Sequence, residues 1–363
     1  MRPRLKVMLL LILMLLVPIL MPSLVRADSG SQWVKYSGNP LLGPTSGAWD
    51  SGFTAAPVVL YDGAVYRMWY DGGHATATGI GFANSTDGIH WQKYPGPVLQ
   101  PGSLGSWDSS RVALGSVVWN GTMFLMAYRG ENPTSFTNGA IGVAGSLDGI
   151  SWVKYSGNPV LTPGGVDVAI GRPFALRWQT TYNMWYGGRS ANETVSSIAI
   201  RIFYATSSNG LTWTKWPTPV ISPSSIPSAW DSATVSSPSV VRVGSNFGLW
   251  YTGLNKSGTT PQIGYATSND GASWNKTLTP VLSPGPRGSW DAAGVEQPDV
   301  VNGANGYMMY YDGFNATSSP NIGLAFAPQN FNVPELPVPQ VGLLIAILAC
   351  ATVCFARRRR VQN

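Results

Sequence analysis

Short apolar runs recur along residues 33–328, each ending in turn-forming residues. The stretches "APVVLYD", "AVYRMWY" and "GIGFANS" follow one another, and their β-branched and aromatic content favours three short strands. An Asp-Gly pair then predicts a tight hairpin turn, because those residues tolerate positive φ, and "HWQKY" returns as a fourth strand. No long stretch of helical period occurs in this region.

This four-strand unit repeats with a period of about sixty residues. One marker is the hairpin motif "STDGIHW", "SLDGISW", "SSNGLTW" and "SNDGASW", whose tryptophans at 91, 152, 213 and 274 lie 61 residues apart. A second marker occurs five times, as "YRMWYDG", "FLMAYRG", "YNMWYGG", "FGLWYTG" and "YMMYYDG". Four strands per repeat, five times over, predict an all-β, five-bladed β-propeller.

The two ends of the repeat region predict how the ring closes. The fifth repeat stops at "NIGLAFAP" without a hairpin motif, whereas the region opens with "WVKYSGNPLL", which nearly matches "WVKYSGNPVL" at 152–161. We therefore expect the N-terminal segment to supply the outer strand of the last blade, which removes exposed sheet edges.

Both ends of the chain carry other patterns. Residues 1–27 combine basic residues, an apolar run and a small-residue ending, which is typical of a secretory signal peptide; a retained membrane helix is the alternative. The propeller then occupies 28–332, a Pro-rich spacer 333–340, and an apolar segment with a basic stop 341–363. We expect a transmembrane helix there, with Arg357–Arg360 in the cytoplasm and the propeller outside, anchored at the cell surface.

Composition agrees with an exported domain. Both cysteines, Cys350 and Cys354, lie in the tail, so the propeller has no disulfides and is large enough not to need them. Without the two ends, 15 basic residues face 17 acidic ones, which argues against nucleic-acid binding, and we expect a monomer. Asn-X-Ser/Thr triplets compatible with glycosylation occur at Asn84, Asn120, Asn192, Asn255, Asn275 and Asn315.

The repeats separate architecture from candidate chemistry. An aspartate precedes the innermost strand of every repeat, so this set is expected to cap turns: Asp50, Asp108, Asp167, Asp231 and Asp291. After this aspartate each repeat has a proline, which is replaced by a glycine in the second repeat. At the position two residues before it, four repeats carry Ala or another small residue, and only the fifth carries a charge, Glu296. Arg172 and Gln297 are singular one position later, and Arg111 is a further singular charge. We expect these four at one end of the channel, with Asp299 nearby.

The combined motifs resemble the five-bladed glycoside hydrolases of families 43, 32, 62, 68 and 130 and their unassigned relatives. That resemblance implies an oligo- or polysaccharide partner and a mechanism with paired carboxylates. Of the three family-43 acids, it places the general acid at Glu296 in "EQP", whereas Ala56 and Arg172 stand where the other two are expected. Asp50 and Asp291 remain as weak candidates for a second catalytic carboxylate. The tail resembles exosortase or archaeosortase sorting signals, with a plain C-terminal anchor as the alternative.

Two arginines at the channel mouth favour an anionic glycan, because guanidinium binds carboxylate or sulfate in a forked geometry, with aromatic residues to stack on sugar faces. The alternative is that Arg111, Arg172 and Glu296 only neutralise one another. His74 is a further candidate for substrate binding. The sequence has no set of residues spaced as metal ligands, and we expect no cofactor. A structural calcium ion is possible, but no sequence pattern indicates one. Further charges are expected on loops at the funnel rim: Asp71, Arg129, Glu131, Arg189 and Asp312.

These observations leave two hypotheses of different classes. The first is a cell-surface glycoside hydrolase that uses Glu296. The second is a non-catalytic module that binds glycans or an envelope component and has lost the hydrolase carboxylates. A carboxylate close to Glu296 favours the enzyme, whereas a funnel of arginines and aromatic residues alone favours binding.

Overall fold

The computed structural model describes residues 33–74, 77–133, 139–191, 199–243, 245–258, 260–304 and 306–327. The predicted signal peptide, Pro-rich spacer and C-terminal helix lie outside these residues. Within them, no helix is long and apolar enough to cross a membrane.

The described residues form five four-stranded antiparallel sheets, numbered here in chain order. The innermost strands are β2 (Phe53–Tyr61), β6 (Arg111–Trp119), β10 (Asp167–Trp178), β14 (Thr234–Val243) and β18 (Gly294–Gly303). The second strands are β3 (Tyr66–His74), β7 (Phe124–Glu131), β11 (Thr181–Ser190), β15 (Asn246–Leu254) and β19 (Gly306–Phe314). The third strands are β4 (Ala77–Ser85), β8 (Ala140–Ser146), β12 (Arg201–Ser207), β16 (Gln262–Ser268) and β20 (Asn321–Phe326). The outer strands are β5 (Gln92–Lys93), β9 (Val153–Lys154), β13 (Thr214–Lys215), β17 (Asn275–Lys276) and β1 (Val34–Lys35).

The predicted five-bladed propeller and its closure are confirmed. Neighbouring inner strands contact one another around a full ring, from β2 through β6, β10 and β14 to β18 and back to β2. The N-terminal strand β1 pairs with β20, with Val34 opposite Phe326, so this strand completes the fifth blade. We number the blades 1 to 5 by their inner strands.

The hairpin motif connects blades 1, 2 and 4 to the blade before each of them, through a hydrogen bond accepted by the carbonyl of its glycine. In blade 1, Gly88 adopts a φ of 76°, and Ser85 Oγ accepts its N–H at 2.9 Å. In blade 2, the Gly149 carbonyl accepts a hydrogen bond from the Trp69 indole of blade 1 at 2.8 Å. The Trp152 ring meets Trp69 edge-on at 6.1 Å, which confirms that this motif tryptophan packs between blades.

Each aspartate that precedes an inner strand is buried and forms an ion pair with a lysine of the same blade's outer strand. The N···O distances run from 2.5 to 2.9 Å, for the pairs Asp50–Lys93, Asp108–Lys154, Asp167–Lys215, Asp231–Lys276 and Asp291–Lys35. A tyrosine of the second strand also donates its hydroxyl to each aspartate, from Tyr70, Tyr128, Tyr186, Tyr251 and Tyr311. The ion pair therefore joins the first and last strands of every blade.

Replacing Lys35 by Met should destabilise the protein as much as the same change at Lys154, because both leave a buried aspartate without its counter-charge. We expect each change to lower the free energy of unfolding by about 3 kcal/mol. Urea unfolding measures this, with Lys256→Met, an exposed lysine without an ion pair among the described residues, as the control. A Lys35→Met protein as stable as wild type would show that β1 does not complete the fifth blade in solution.

Candidate functional site

The channel wall contains a bulge in every inner strand. The ladder to the second strand slips at this point in all five blades. Three of the bulged residues, each followed by proline, have a left-handed backbone: Ala56 (φ 57°), Ser237 (φ 50°) and Gln297 (φ 53°). A bulge leaves a residue outside the ladder, so its N–H needs another acceptor.

Side chains of the preceding blade supply that acceptor. Asp312 on β19 accepts the Ala56 N–H with both oxygens, at 2.7 and 2.9 Å. Asp71 on β3 accepts the Leu114 N–H at 2.7 Å. Thr252 on β15 accepts the Gln297 N–H at 2.8 Å through its hydroxyl. All three occupy the same position of the second strand, the third residue of the segments "WYDG", "WYTG" and "YYDG", which we write as "WYxG". We call them the blade-linking residues.

The prediction that Asp71 and Asp312 lie on loops at the funnel rim is wrong. Both lie inside second strands, and their side chains are buried. Arg129, Glu131 and Arg189 likewise lie in strands rather than loops. The residue type at this "WYxG" position varies around the ring, and only the first and last blades share one. In blades 1 to 5 the residues are Asp71, Arg129, Gly187, Thr252 and Asp312. That variation is the signal that could have identified it as part of the channel wall.

Glu296 lies directly opposite Asp312 in the β18–β19 ladder. Directly opposed residues share a face of the sheet with Cβ atoms about 5 Å apart. Burial raises the pKa of Glu296. Burial and the charge of Glu296 together raise the pKa of Asp312 well above its usual range. Glu296 therefore does have a second acid beside it, and each carboxyl group has a raised pKa.

Arg172 forms its ion pair with Asp71, not with Glu296. Its Nη2 lies 2.6 Å from Asp71 Oδ2. Burial raises the pKa of Asp71, and the Arg172 charge opposes that shift. The guanidinium also lowers the pKa of Glu296 through space, although burial dominates there. Arg172 is therefore at the centre of three buried or partly buried carboxyl groups, those of Asp71, Glu296 and Asp312.

A cavity of about 580 Å³ opens beside this cluster, between blades 2, 3 and 4 with one contribution from blade 5. Four arginines line it: Arg111, Arg129, Arg172 and Arg189. The described lining residues include no aromatic side chain, so the expected stacking surface for sugar rings is not found on this wall. A larger hollow, of about 750 Å³, lies along the outer edge of blade 2 and does not include any of these arginines.

The arginines of this cavity act on one another. Arg129 Nε donates to the Ile170 carbonyl at 2.7 Å, and its guanidinium pairs with Glu131. Burial, together with the nearby positive charges of Arg111 and Arg172, lowers the pKa of Arg129 to about 10. Within the described residues, Arg111 and Arg189 form no ion pair. The cavity wall therefore carries an excess of positive charge.

The remaining predicted site residues fall into three groups. Gln297 lines the cavity, and its buried Oε1 meets no donor among the described residues. Asp299 is buried in the channel wall, where it accepts the Val59 N–H at 2.7 Å, and it does not line the cavity. His74 is exposed at the end of β3 and is likewise absent from the cavity wall.

Asp50 and Asp291 belong to the ion pairs that close blades 1 and 5. Both are buried, and each holds a lysine and a tyrosine hydroxyl. Because every blade has the same arrangement, we assign neither a catalytic role. No group of three or more His, Cys, Asp or Glu side chains in the described part of the chain is arranged to hold a metal ion.

The fold is that of glycoside-hydrolase propellers. Two solved structures, one described as a glycoside hydrolase and the other as a BT0996 RGII complex, superpose with a TM-score of 0.66 at 16% identity, over 84% of this chain and 96% of theirs. A GH130 structure, from work on mannoside phosphorylases and on hydrolases of β-1,2 mannosidic linkages in Candida mannan, gives 0.64 at 17% identity over 85% of this chain and 98% of that one. A thermostable family-43 glycoside hydrolase gives 0.61 at 17% identity over 83% and 99%.

The chain belongs to the same family as two Mycobacterium tuberculosis proteins, "Uncharacterized protein MT1551" (strain CDC 1551 / Oshkosh) and "Uncharacterized protein Rv1502" (strain ATCC 25618 / H37Rv). Each is 30% identical to it over 291 residues, which cover 76% of this chain and 93% of the relative. No protein-family model matches the sequence.

Replacing Asp299 by Asn should change how stability depends on pH. Burial raises the pKa of Asp299 to about 7, above an unfolded value of about 3.9. Its contribution to stability is therefore complete below about pH 4 and is lost as the pH rises through about 7. The unfolding free energy of wild type, relative to the variant, should fall by about 1 kcal/mol per pH unit across that window.

Urea unfolding from about pH 4.5 to about pH 7.5 measures this difference. Asp62→Asn is the control, because a hydrogen bond from Arg67 lowers the pKa of Asp62 to about 2, so its contribution is constant across the window. Parallel pH profiles for wild type and Asp299→Asn would contradict the raised pKa.

Proposed function

We propose that this protein binds a glycan through an anionic group, a carboxylate or a sulfate, that enters the arginine-lined cavity beside the channel. The observation that carries the proposal is the convergence of Arg111, Arg129, Arg172 and Arg189 on one cavity of about 580 Å³. Two of the four, Arg111 and Arg189, form no ion pair among the described residues, so a ligand anion could pair with them.

The carbohydrate part of this proposal is supported by the fold. Solved structures that share it are described as glycoside hydrolases, and one is described as an RGII complex. The cavity is lined by residues of four inner strands, at one end of the channel that those strands surround. Fold alone does not assign an activity, so the charge of the ligand is argued from the arginines rather than from these neighbours.

We further propose that the protein acts outside the cell as a monomer, exported by residues 1–27 and anchored by a helix within 341–363. The sequence patterns described above support this location, including the basic stop at Arg357–Arg360. In that setting the ligand would be a surface or environmental polysaccharide. The proposal includes no cofactor.

Replacing Arg111 by Gln should weaken binding of an acidic oligosaccharide about tenfold or more, because one charge-assisted contact contributes roughly 1.5–3 kcal/mol. Isothermal titration calorimetry with trigalacturonic acid, a sulfated trisaccharide and a neutral trisaccharide measures this. Arg287→Gln, an exposed arginine outside the cavity, is the matched control. Equal affinity for neutral and acidic sugars would contradict an anion site.

A second candidate function, glycoside hydrolysis, is favoured by the Glu296–Asp312 pair. A glycosidic bond needs a protonated acid at the leaving oxygen, and burial keeps the pKa of Glu296 raised. Asp312 stands beside it and accepts the N–H of Ala56, the residue that occupies the position where the resemblance leads one to expect an acid. Its side chain is fully buried, so we assign it to tuning and holding Glu296 rather than to contact with the sugar.

If the protein is a hydrolase, Glu296→Gln should lower turnover at least about a hundredfold while binding stays within about threefold of wild type, because only proton donation is lost. Product release from aryl glycosides and acidic oligosaccharides measures this alongside calorimetry. Asp62→Asn is the control, as a carboxylate at the opposite end of an inner strand. Binding without turnover in both wild type and Glu296→Gln would establish the non-catalytic alternative.

A further inference from the structure

Blade 3 lacks the side-chain acceptor that links blades 1, 4 and 5 to the blade that follows each of them. Its "WYxG" position is Gly187, where Asp71, Thr252 and Asp312 stand in blades 1, 4 and 5. The bulged residue of the next inner strand, Ser237, has the same left-handed backbone as Ala56 and Gln297. No described side chain accepts the Ser237 N–H. This N–H is therefore without the acceptor that its counterparts have.

The glycine at 187 is not required by its backbone or by its neighbours. Its φ is not in the left-handed region. A Cβ placed there would meet no atom closer than 3.6 Å, the distance to Ile200 Cγ2. By contrast, a Cβ on Gly72 would come within 2.8 Å of the Trp49 ring, so that glycine is needed for packing. Position 187 has room for a side chain and does not use it.

The space left by Gly187 adjoins the arginine-lined cavity, because Ile200 and Gly171, which would contact a Cβ at 187, both line that cavity. Ser237, Gly171, Gly188 and Ile200 all line that cavity together with Arg172. Blade 2 also lacks an acceptor at the equivalent position, because Arg129 can only donate. The cavity thus opens where two consecutive blades have lost the linking acceptor.

We propose that an oxygen of the bound anionic group occupies the position of the missing side-chain acceptor and receives the Ser237 N–H. In blades 4 and 5, a hydroxyl or carboxylate oxygen of the protein makes this bond, at 2.8 Å from Thr252 and at 2.7 Å from Asp312. A ligand carboxylate or sulfate presents the same kind of oxygen, and the cavity arginines supply its counter-charge. The Gly187 notch, meaning the space beside Gly187 that faces Ser237, is thereby a subsite for the anionic group. This inference rests on the proposed function.

The test replaces Gly187 by Thr, which copies the blade-4 linking residue without adding charge. The Thr hydroxyl should take the Ser237 N–H, so binding of trigalacturonic acid should fall more than tenfold while the thermal midpoint stays equal or rises. Gly187→Ala adds a methyl group but no acceptor. Its Cβ would overlap the ligand oxygen, so binding of trigalacturonic acid should fall here too, but the thermal midpoint should not rise above wild type because the Ser237 N–H gains no acceptor. The sulfated trisaccharide distinguishes sulfate from carboxylate as the preferred group.

Hydrogen exchange on wild type gives a second readout that needs no variant. Adding trigalacturonic acid should slow exchange in the peptide that contains Ser237, and the neutral trisaccharide should not. Wild-type affinity in Gly187→Thr, together with unchanged exchange at that peptide, would overturn the proposal that the Gly187 notch is a subsite. If Arg111→Gln still loses binding in that case, the proposed arginine site stands. Failure of wild type to bind either acidic sugar would overturn both proposals.

Discussion

The channel of this propeller depends on the backbone N–H that each inner-strand bulge withdraws from its ladder. A buried N–H without an acceptor is costly, so a neighbouring blade must satisfy it. Asp312, Asp71 and Thr252 do so, and each bond crosses from one blade to the next. The same bonds fix how adjacent blades meet around the axis. Side chains at one position of the second strand therefore set both the stability of the ring and the shape of its interior.

Charge in the interior follows from those links. Carboxylates used as acceptors become buried, and their pKa values rise unless a cation stands nearby. Arg172 partly meets that need by pairing with Asp71, and its charge also reaches Asp312 and Glu296. Among the other arginines of the cavity, Arg129 pairs with Glu131, whereas Arg111 and Arg189 form no ion pair among the described residues. One part of the channel end thus holds carboxyl groups whose pKa values are raised, and the adjacent part is rich in arginine, a division that suits binding an anion next to a general acid.

The sequence predicted the fold well because strand alternation, turn chemistry and the sixty-residue repeat are local signals. Closure was predictable for the same reason, since the opening "WVKYSGNP" has a copy in blade 2. The site was predicted only in part. Four residues stood out because each differs from its counterparts in the other repeats: Glu296, Arg111, Arg172 and Gln297. Asp312 did not stand out, because its importance depends on a bulge in another blade that lies 256 residues away in the chain.

Blade 3 lacks the linking hydrogen bond to blade 4, and the ring of five blades still closes. It has Val166 where the other blades have Trp before the aspartate, Gly187 where three others have a linking acceptor, and Arg172 before its proline. Arg172 reaches from blade 3 to Asp71 of blade 1, so its ion pair joins two blades that are not neighbours in the ring. Blades 3 and 4 still contact each other through their inner strands without the link that Gly187 omits. Two departures of this blade from the repeat thus meet at one cavity: Gly187 leaves space beside it, and Arg172 supplies part of its charge.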